Sequence, residues 1–373
     1  MRLKLGSGFV LGQYDIDFSK IRKILVAKLR HHGDVLLSSP VFSVLKERFP
    51  HLEIDAYIYS ETLPMLEGHP AISSFLLYDK GWKKLPIWKR YLEEMKLLRA
   101  IRKKGYDLVI NLTEGDRGAI AAKFSKAPFA IGFDPQGDGM KGKTSCYTHL
   151  IKHTPRPRHT VEKQLDALRC LGIFPTPSER DLTFNIPEET YEKVASLVPE
   201  SYVAVHPVSR WMFKTLPIET MIAVCEYLQE RGENIVLTAS PDPLEMEINR
   251  QIQEALPRAV DLSGKISLKE LGVVINKSNF LFTVDSVPLH IASALKKPVA
   301  VVFGPTCDQN WGPYRNPHAC VITCDLSCRP CYQPGCGGSG KSDCLHTLTP
   351  QEIISNLHTF LSNPLMTTLS SLS

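Results

Sequence analysis

Four short polar clusters hold the side chains best placed for chemistry in this 373-residue chain, and each follows a run of strand-forming residues. The first is Arg30-His31-His32-Gly33-Asp34. The second contains Asn111, Thr113, Glu114 and Asp116. The third contains Ser209, Arg210 and Lys214, and the fourth Asp285, Ser286 and His290. Asp34 can serve as a general base or cap a helix. Gly33 before it permits a sharp turn or a close approach to a ligand. Arg210 and Lys214 can neutralise phosphates or stand in solvent. His290 can touch a ligand or be a neutral core histidine. Asp285 and Ser286 are good N-caps and Pro288 suits a first turn. The free N–H groups and positive dipole end of such a helix start suit a diphosphate, although an ordinary capped crossover has the same pattern. No G-x-G-x-x-G occurs in this stretch, and no H-E-x-x-H or G-x-S-x-G motif appears in the chain, which disfavours the chemistries those motifs carry.

The segments that must position these clusters alternate between strand and helix. Strands are expected at 23–29, 53–59, 75–78, 107–112 and 129–133. Helices are expected at 86–104, 116–126 and 160–171. A further helix ends at Phe49; either Ser39 caps it with Pro40 in its first turn, or it starts near Asp34 and kinks at Pro40. In the 86–104 helix Leu92, Met95 and Leu98 are taken to face inward. The stretch 134–143, rich in glycine, is read as a mobile loop. Two prolines within 176–187, with Pro175 just before them, mark an interdomain region. The alternation then restarts, with strands at 202–206, 234–239, 280–284, 299–303 and 320–323, and helices at 218–231, 243–256, 268–276, 286–297 and 349–361. Two doubly wound α/β domains follow, with their polar loops at the carboxyl ends of strands, where open parallel sheets bind ligands. If the domains face each other, the four clusters converge on a cleft.

Composition bounds the class. The chain is 43% hydrophobic and 22% charged, as soluble globular proteins are, and no apolar run approaches the ~18 residues of a membrane span. No signal-peptide core is visible near the start. Residues 1–20 read as an extension, the last dozen as frayed, and a cytoplasmic protein is expected. Net charge is only +5, but residues 80–104 hold ten Lys/Arg against two Glu. That segment is either a solvated helix face or a surface for an anionic partner, and Trp82, Trp88 and Tyr91 within it suit a membrane interface. Five of the ten cysteines fall between Cys324 and Cys344. Cys328, Cys331, Cys336 and Cys344 are weak candidates for a zinc site; free thiols and a redox patch are the alternatives.

Four stretches, KILVAKLRHHGDVLLSSPVFSVLKERFP, HPVSRWMFKTLP, LSGKISLKEL and FTVDSVPLHIASALKKPVAVVFGPT, together resemble the bacterial heptosyltransferases of glycosyltransferase family 9. The RHHGD and VSRWMFK forms look most like the branch that adds the third core heptose. The resemblance implies a GT-B fold. An acceptor domain would span 21–175, a nucleotide-sugar domain 188–348 and a C-terminal helix 349–362. It implies an inverting transferase moving heptose from ADP-heptose to the lipopolysaccharide inner core, with no required cofactor, no metal and no nucleic-acid partner. The lipid A-core acceptor would lie at the inner face of the cytoplasmic membrane, with the enzyme peripheral to it. The family's catalytic aspartate falls on Asp34 and its phosphate-contacting lysine on Lys214. Donor contacts are implied for Ser209, Arg210, Gly264, Asp285, Ser286 and His290, with Asp242 and Glu245 both candidates near the ribose. Acceptor contacts are implied for Arg30, His31, His32, Gly33, Glu114 and Arg117. Where the family often has Thr-Gly after its second aspartate, this chain has Ser286-Val287. The alternatives are a relative using another nucleotide sugar, or a metal- or nucleic-acid-binding module built on the cysteines and the basic helix.

Overall fold

Runs such as KILVA, EIDAYIY and VAVVF are apolar almost throughout, so they must be covered on both faces, and parallel sheets sandwiched by helices provide that cover. A computed structural model describes residues 16–154 and 156–363 of the chain. Most of the expected N-terminal extension and of the frayed tail lies outside the described residues. Two compact units divide at Asp181–Leu182, within the proline-rich stretch.

The first unit runs β1 (Lys23–Ala27), α1 (His32–Leu36), α2 (Ser39–Arg48), β2 (Glu53–Tyr59), β3 (Ser74–Tyr78), α3 (Ile87–Lys104), β4 (Leu108–Asn111), α4 (Asp116–Ser125), β5 (Phe129–Phe133), β6 (His149–Ile151) and α5 (Thr160–Arg169). Its sheet is wholly parallel, in the order β3-β2-β1-β4-β5-β6. The chain reverses direction across the sheet between β1 and β4, which pair from Ile24 opposite Leu108 to Ala27 opposite Asn111. The carboxyl ends of that pair are the switch point at which such sheets bind ligands.

The second unit repeats the plan without repeating the sequence. It runs α6 (Glu189–Ala195), β7 (Val203–His206), α7 (Ile218–Glu230), β8 (Ile235–Leu237), α8 (Pro243–Ala255), β9 (Val260–Asp261), α9 (Leu268–Lys277), β10 (Leu281–Val284), α10 (Val287–Ala294), β11 (Val299–Phe303), α11 (Asp308–Trp311), β12 (Ala319–Thr323), α12 (Asp343–His346) and α13 (Pro350–Leu361). The parallel order β12-β11-β10-β7-β8-β9 has its reversal between β7 and β10. Helix α13 starts with a capping box, Thr349 and Glu352 each bonding the other's backbone. Its Ile353, Leu357 and Phe360 join the core formed by Leu228, Phe280 and Ile322, so it belongs to the second unit's core.

Three local expectations need correction. The helix ending at Phe49 is two helices: α1 stops at Leu36, Ser38 takes the N-cap position of α2, and Pro40 lies in its first turn, where a missing N–H costs nothing. Helix α3 turns inward a face that shares Leu98 with the one expected but leaves Leu92 out. Ile101 is its buried residue, with Leu97 and Leu98 packed against the same core, whereas Leu92 is 45% exposed. The stretch 134–143 is fastened rather than free: the Asp116 carboxylate accepts the Met140 N–H at 3.0 Å and pairs with buried Lys143 at 3.2 Å. Strands β6 and β9 were not foreseen, because edge strands of three and two residues carry no readable period.

Candidate active site

In the first unit, Asp34 sits in the first turn of α1, just past the carboxyl end of β1. It is not the cap of that helix; His31 holds the N-cap position and makes no side-chain cap bond. The Asp34 side chain is 12% exposed, with the Arg30 guanidinium 4.0 Å away and itself well exposed. The carbonyl of Asp34 accepts a 3.4 Å bond from the Gln164 amide of α5. His32 is held to the Glu61 carbonyl through Nε2 at 2.8 Å. Glu114 and Arg117 follow β4. Glu114 is exposed, and the Arg117 guanidinium lies 4.5 Å from the centre of the Tyr78 ring.

Buried polar groups pin this edge of the sheet. Lys28, directly after β1, is buried and donates through Nζ to the Leu112 carbonyl at 2.9 Å. Burial pulls its pKa below the usual lysine value, and the nearby Asp34 and Glu114 charges push it back up. The Lys28 amine thus stands near the two carboxylates that end these loops. Leu29 N–H donates to Thr113 Oγ1, and Asn111 ties the same turn from below, accepting from Thr113 N–H and donating to the Thr113 carbonyl and the Tyr147 hydroxyl. Lys143 reaches the Glu114 carbonyl. Lys28 and Lys143 were missed from the sequence, although Lys28 stands at a strand end, where ligand groups collect.

Gly118, in α4, makes the Asn111 arrangement possible. A Cβ there would lie 2.1 Å from Asn111 Oδ1. Gly118→Ala therefore should destabilise the chain by ~1–3 kcal/mol through overpacking, against the helix-propensity gain of ~1 kcal/mol that alanine ordinarily gives. Denaturant titration reads this directly, and an unchanged or raised midpoint would contradict it.

In the second unit the third and fourth clusters meet. Lys214 lies in a single 3-10 turn, Met212–Lys214, and its Nζ bonds Asp285 Oδ2 at 2.7 Å. Asp285 is buried at the carboxyl end of β10, and its Oδ2 also accepts from Thr306 Oγ1 at 2.6 Å. Ser209 is buried and donates to the Asp285 carbonyl at 3.2 Å. Its N–H donates to Thr215 Oγ1. Ser286 takes the N-cap position of α10, and its hydroxyl bonds the Val284 carbonyl rather than the helix. Val287 follows in ordinary helical backbone, so valine there imposes no strain. His290 is buried in α10, whereas Arg210 is exposed, its guanidinium 5.9 Å from the centre of the Trp211 ring.

At the neighbouring end of β8, Asp242 caps α8 by accepting the Leu244 N–H at 2.9 Å, and buried Glu245 accepts the Ser240 N–H at 2.9 Å. Both carboxylates shape the turn they stand in. Gly264 has φ +67°, a left-handed turn conformation that favours glycine, and donates to the Ala239 carbonyl at 3.0 Å. His206, at the end of β7, is buried against Thr238, and burial lowers its pKa to about 4, so it is neutral at pH 7.

The cysteine-rich segment serves these loops as a brace. Arg329 donates to the Gly304 and Cys324 carbonyls, Cys331 and Tyr332 donate to the Pro305 carbonyl, and Ser342 donates to the Phe213 carbonyl beside Lys214. Cys344 is buried, which pushes its thiol up to about 12. Among the described residues no three His, Cys, Asp or Glu side chains gather as metal ligands.

Comparison with known proteins places this geometry. Residues 94–339 match the model of glycosyltransferase family 9 (heptosyltransferase). The chain is 32% identical to lipopolysaccharide heptosyltransferase 3 of Escherichia coli K12 over 295 residues, covering 77% of this chain and 83% of that one. A family 9 glycosyltransferase structure from Veillonella parvula superposes with a TM-score of 0.75 at 24% identity, covering 91% and 97% of the two chains. Escherichia coli heptosyltransferase WaaC with ADP-2-deoxy-2-fluoro heptose superposes with a TM-score of 0.69 at 20% identity, covering 90% and 99%.

Proposed function

The chain belongs to glycosyltransferase family 9, with the GT-B fold, and from that premise we propose that it transfers a heptose from ADP-heptose to the inner core of lipopolysaccharide. The observation that carries this reading is the kinship with lipopolysaccharide heptosyltransferase 3 along most of both chains. The second unit holds the donor and the first unit the acceptor. Asp34 is the general base: it takes the proton of the acceptor hydroxyl as that oxygen attacks the anomeric carbon and ADP departs. Attack opposite the leaving group inverts the centre.

Lys214 and the N–H groups at the start of α10 stabilise the charge growing on the diphosphate. Asp285 and Thr306 are positioning groups. They hold the Lys214 ammonium in place, so little side-chain entropy is lost when phosphate oxygens arrive. Ser209 and His290 complete the donor edge, with Arg210 reaching in from the same loop, and Gly264, Asp242 and Glu245 border the nucleoside. Arg30, His31, His32, Glu114 and Arg117 meet the acceptor, and Gly33 lets the backbone approach it. With a fixed cation and a helix start at the diphosphate, the reaction needs no divalent metal as a cofactor. The acceptor is a lipid A-core at the inner face of the cytoplasmic membrane, and the enzyme works as a peripheral protein there.

The deciding experiment supplies the purified chain with core acceptor from a strain lacking the third heptose and a panel of nucleotide sugars. Addition of one heptose from ADP-heptose, seen as a mass increase and retained in excess chelator, is the expected result. Transfer from a different nucleotide sugar alone would keep the family and replace the donor. No transfer from any donor would overturn the reading.

A further inference from the structure

We propose that the first half of α3 and the turn before it form a docking surface for an anionic lipid bilayer. Residues 85–92 contain five of the thirteen large hydrophobic side chains exposed among the described residues: Leu85, Ile87, Trp88, Tyr91 and Leu92. Ile87 is 88% exposed and Trp88 61%. Apolar side chains scattered singly need no explanation, but five within eight residues form a patch, and such patches mark interaction sites. Lys83, Lys84 and Lys89 are exposed beside them, with Lys89 Nζ 5.2 Å from the centre of the Trp88 ring.

The helix itself is sided. Trp88, Leu92, Lys96, Arg99 and Lys103 follow one another at spacings of four, four, three and four, which places them in one stripe. All five are exposed, and the stripe lies opposite buried Ile101. The two glutamates cancel only part of this charge. Glu94 is turned toward the Tyr78 hydroxyl and Arg90, and Glu93 pairs with Lys96. Apolar side chains lead the stripe and basic ones follow, within a segment of local charge +8.

A bilayer surface accounts for both halves of this pattern. Phosphate headgroups take the lysines and arginines, while tryptophan, tyrosine and short aliphatic side chains enter the headgroup–acyl boundary. A nucleic acid would use the cations and leave Ile87 and Leu92 in water. No helix among the described residues is long and apolar enough to cross a membrane, so the contact is one of lying on the surface. The choice of a lipid surface over other polyanions rests on the proposed lipid-borne acceptor. Docking there would raise the local concentration of that acceptor.

The test uses the full chain, sedimented with phosphatidylcholine vesicles with and without phosphatidylglycerol. Binding is expected only with phosphatidylglycerol and should weaken in salt. The triple variant Lys83→Gln/Lys84→Gln/Lys89→Gln should bind roughly a hundredfold more weakly, at about fivefold per charge. The triple variant Ile87→Ser/Trp88→Ser/Leu92→Ser should lose at least about tenfold. Both should still transfer sugar to a deacylated, water-soluble acceptor, which shows that they fold. Wild-type chain that ignores anionic vesicles, or variants that bind as it does, would overturn the docking surface. So would salt-sensitive binding to random duplex DNA that depends on the lysines but not on the apolar residues. Intact vesicle binding without sugar transfer would instead count against the enzymatic reading alone.

Discussion

Asp34→Asn is expected to lower kcat by roughly 10²–10⁴-fold, while calorimetry finds ADP-heptose bound as tightly as by the unmodified chain. The amide has the shape of the carboxylate and cannot take a proton. The structure gives little reason for the variant to misfold. His31 occupies the N-cap of α1, so Asp34 is no cap, and its share in α1 is a favourable charge near the helix start, worth ~0.3–1 kcal/mol. Lys28 Nζ, which is bonded to the Leu112 carbonyl, does not depend on the Asp34 side chain for a hydrogen-bond partner. The effect is therefore on turnover rather than folding or donor binding. Glu114, exposed at the end of the adjacent strand, is the rival carboxylate. Near-normal turnover in Asp34→Asn with collapse in Glu114→Gln would move the role of base to Glu114. Near-normal turnover in both would remove general-base catalysis from this edge of the sheet.

The expectation that these two carboxylates share one edge was legible in the sequence, because it needs only the strand positions. Runs such as EIDAYIY and VAVVF can hardly be anything but buried parallel strands, and they fall at Glu53–Tyr59 and Val299–Phe303 as expected. Once those strands alternate with helices, the loops at their carboxyl ends are known. The pairing of Lys214 with Asp285 was not legible. Each was singled out as a donor contact, but they are 71 residues apart, and only the β7–β10 pairing makes them neighbours. The supporting set was missed for a similar reason. Lys28, Lys143 and Thr306 are polar residues buried by tertiary contacts, and their own segments contain no partner that would announce them. The inward face of α3 was read correctly at Leu98 and wrongly at Leu92, because its apolar residues occupy more than one face. Periodicity alone offers both Leu92 and Ile101 as anchors, and packing against Tyr106 and Val109 selects Ile101.

The Lys214–Asp285 pair makes a second prediction, in which stability and catalysis separate. Lys214→Ala should weaken ADP binding and lower kcat by roughly 10²–10³-fold, since it removes a fixed positive charge from the departing diphosphate. It should also destabilise the second unit, because Asp285 keeps only Thr306 as a side-chain partner for its carboxylate. Breaking a fully buried pair from one side costs ~3–5 kcal/mol. With Lys214 16% and Asp285 6% exposed, water can reach part of the site, and about 2–3 kcal/mol is expected here. Asp285→Asn introduced alongside Lys214→Ala removes the stranded charge, so it should restore most of that stability and none of the turnover. Denaturation midpoints and single-turnover rates on the same three chains distinguish the two contributions. If the double variant recovers activity together with stability, Lys214 acts only as a strut for the loop at 209–215. If Lys214→Ala binds ADP normally, the positive charge at the diphosphate must come from the start of α10 and from Arg210. Arg210 shares the Lys214 loop and is exposed, and Arg210→Ala would then carry the loss that Lys214→Ala fails to show.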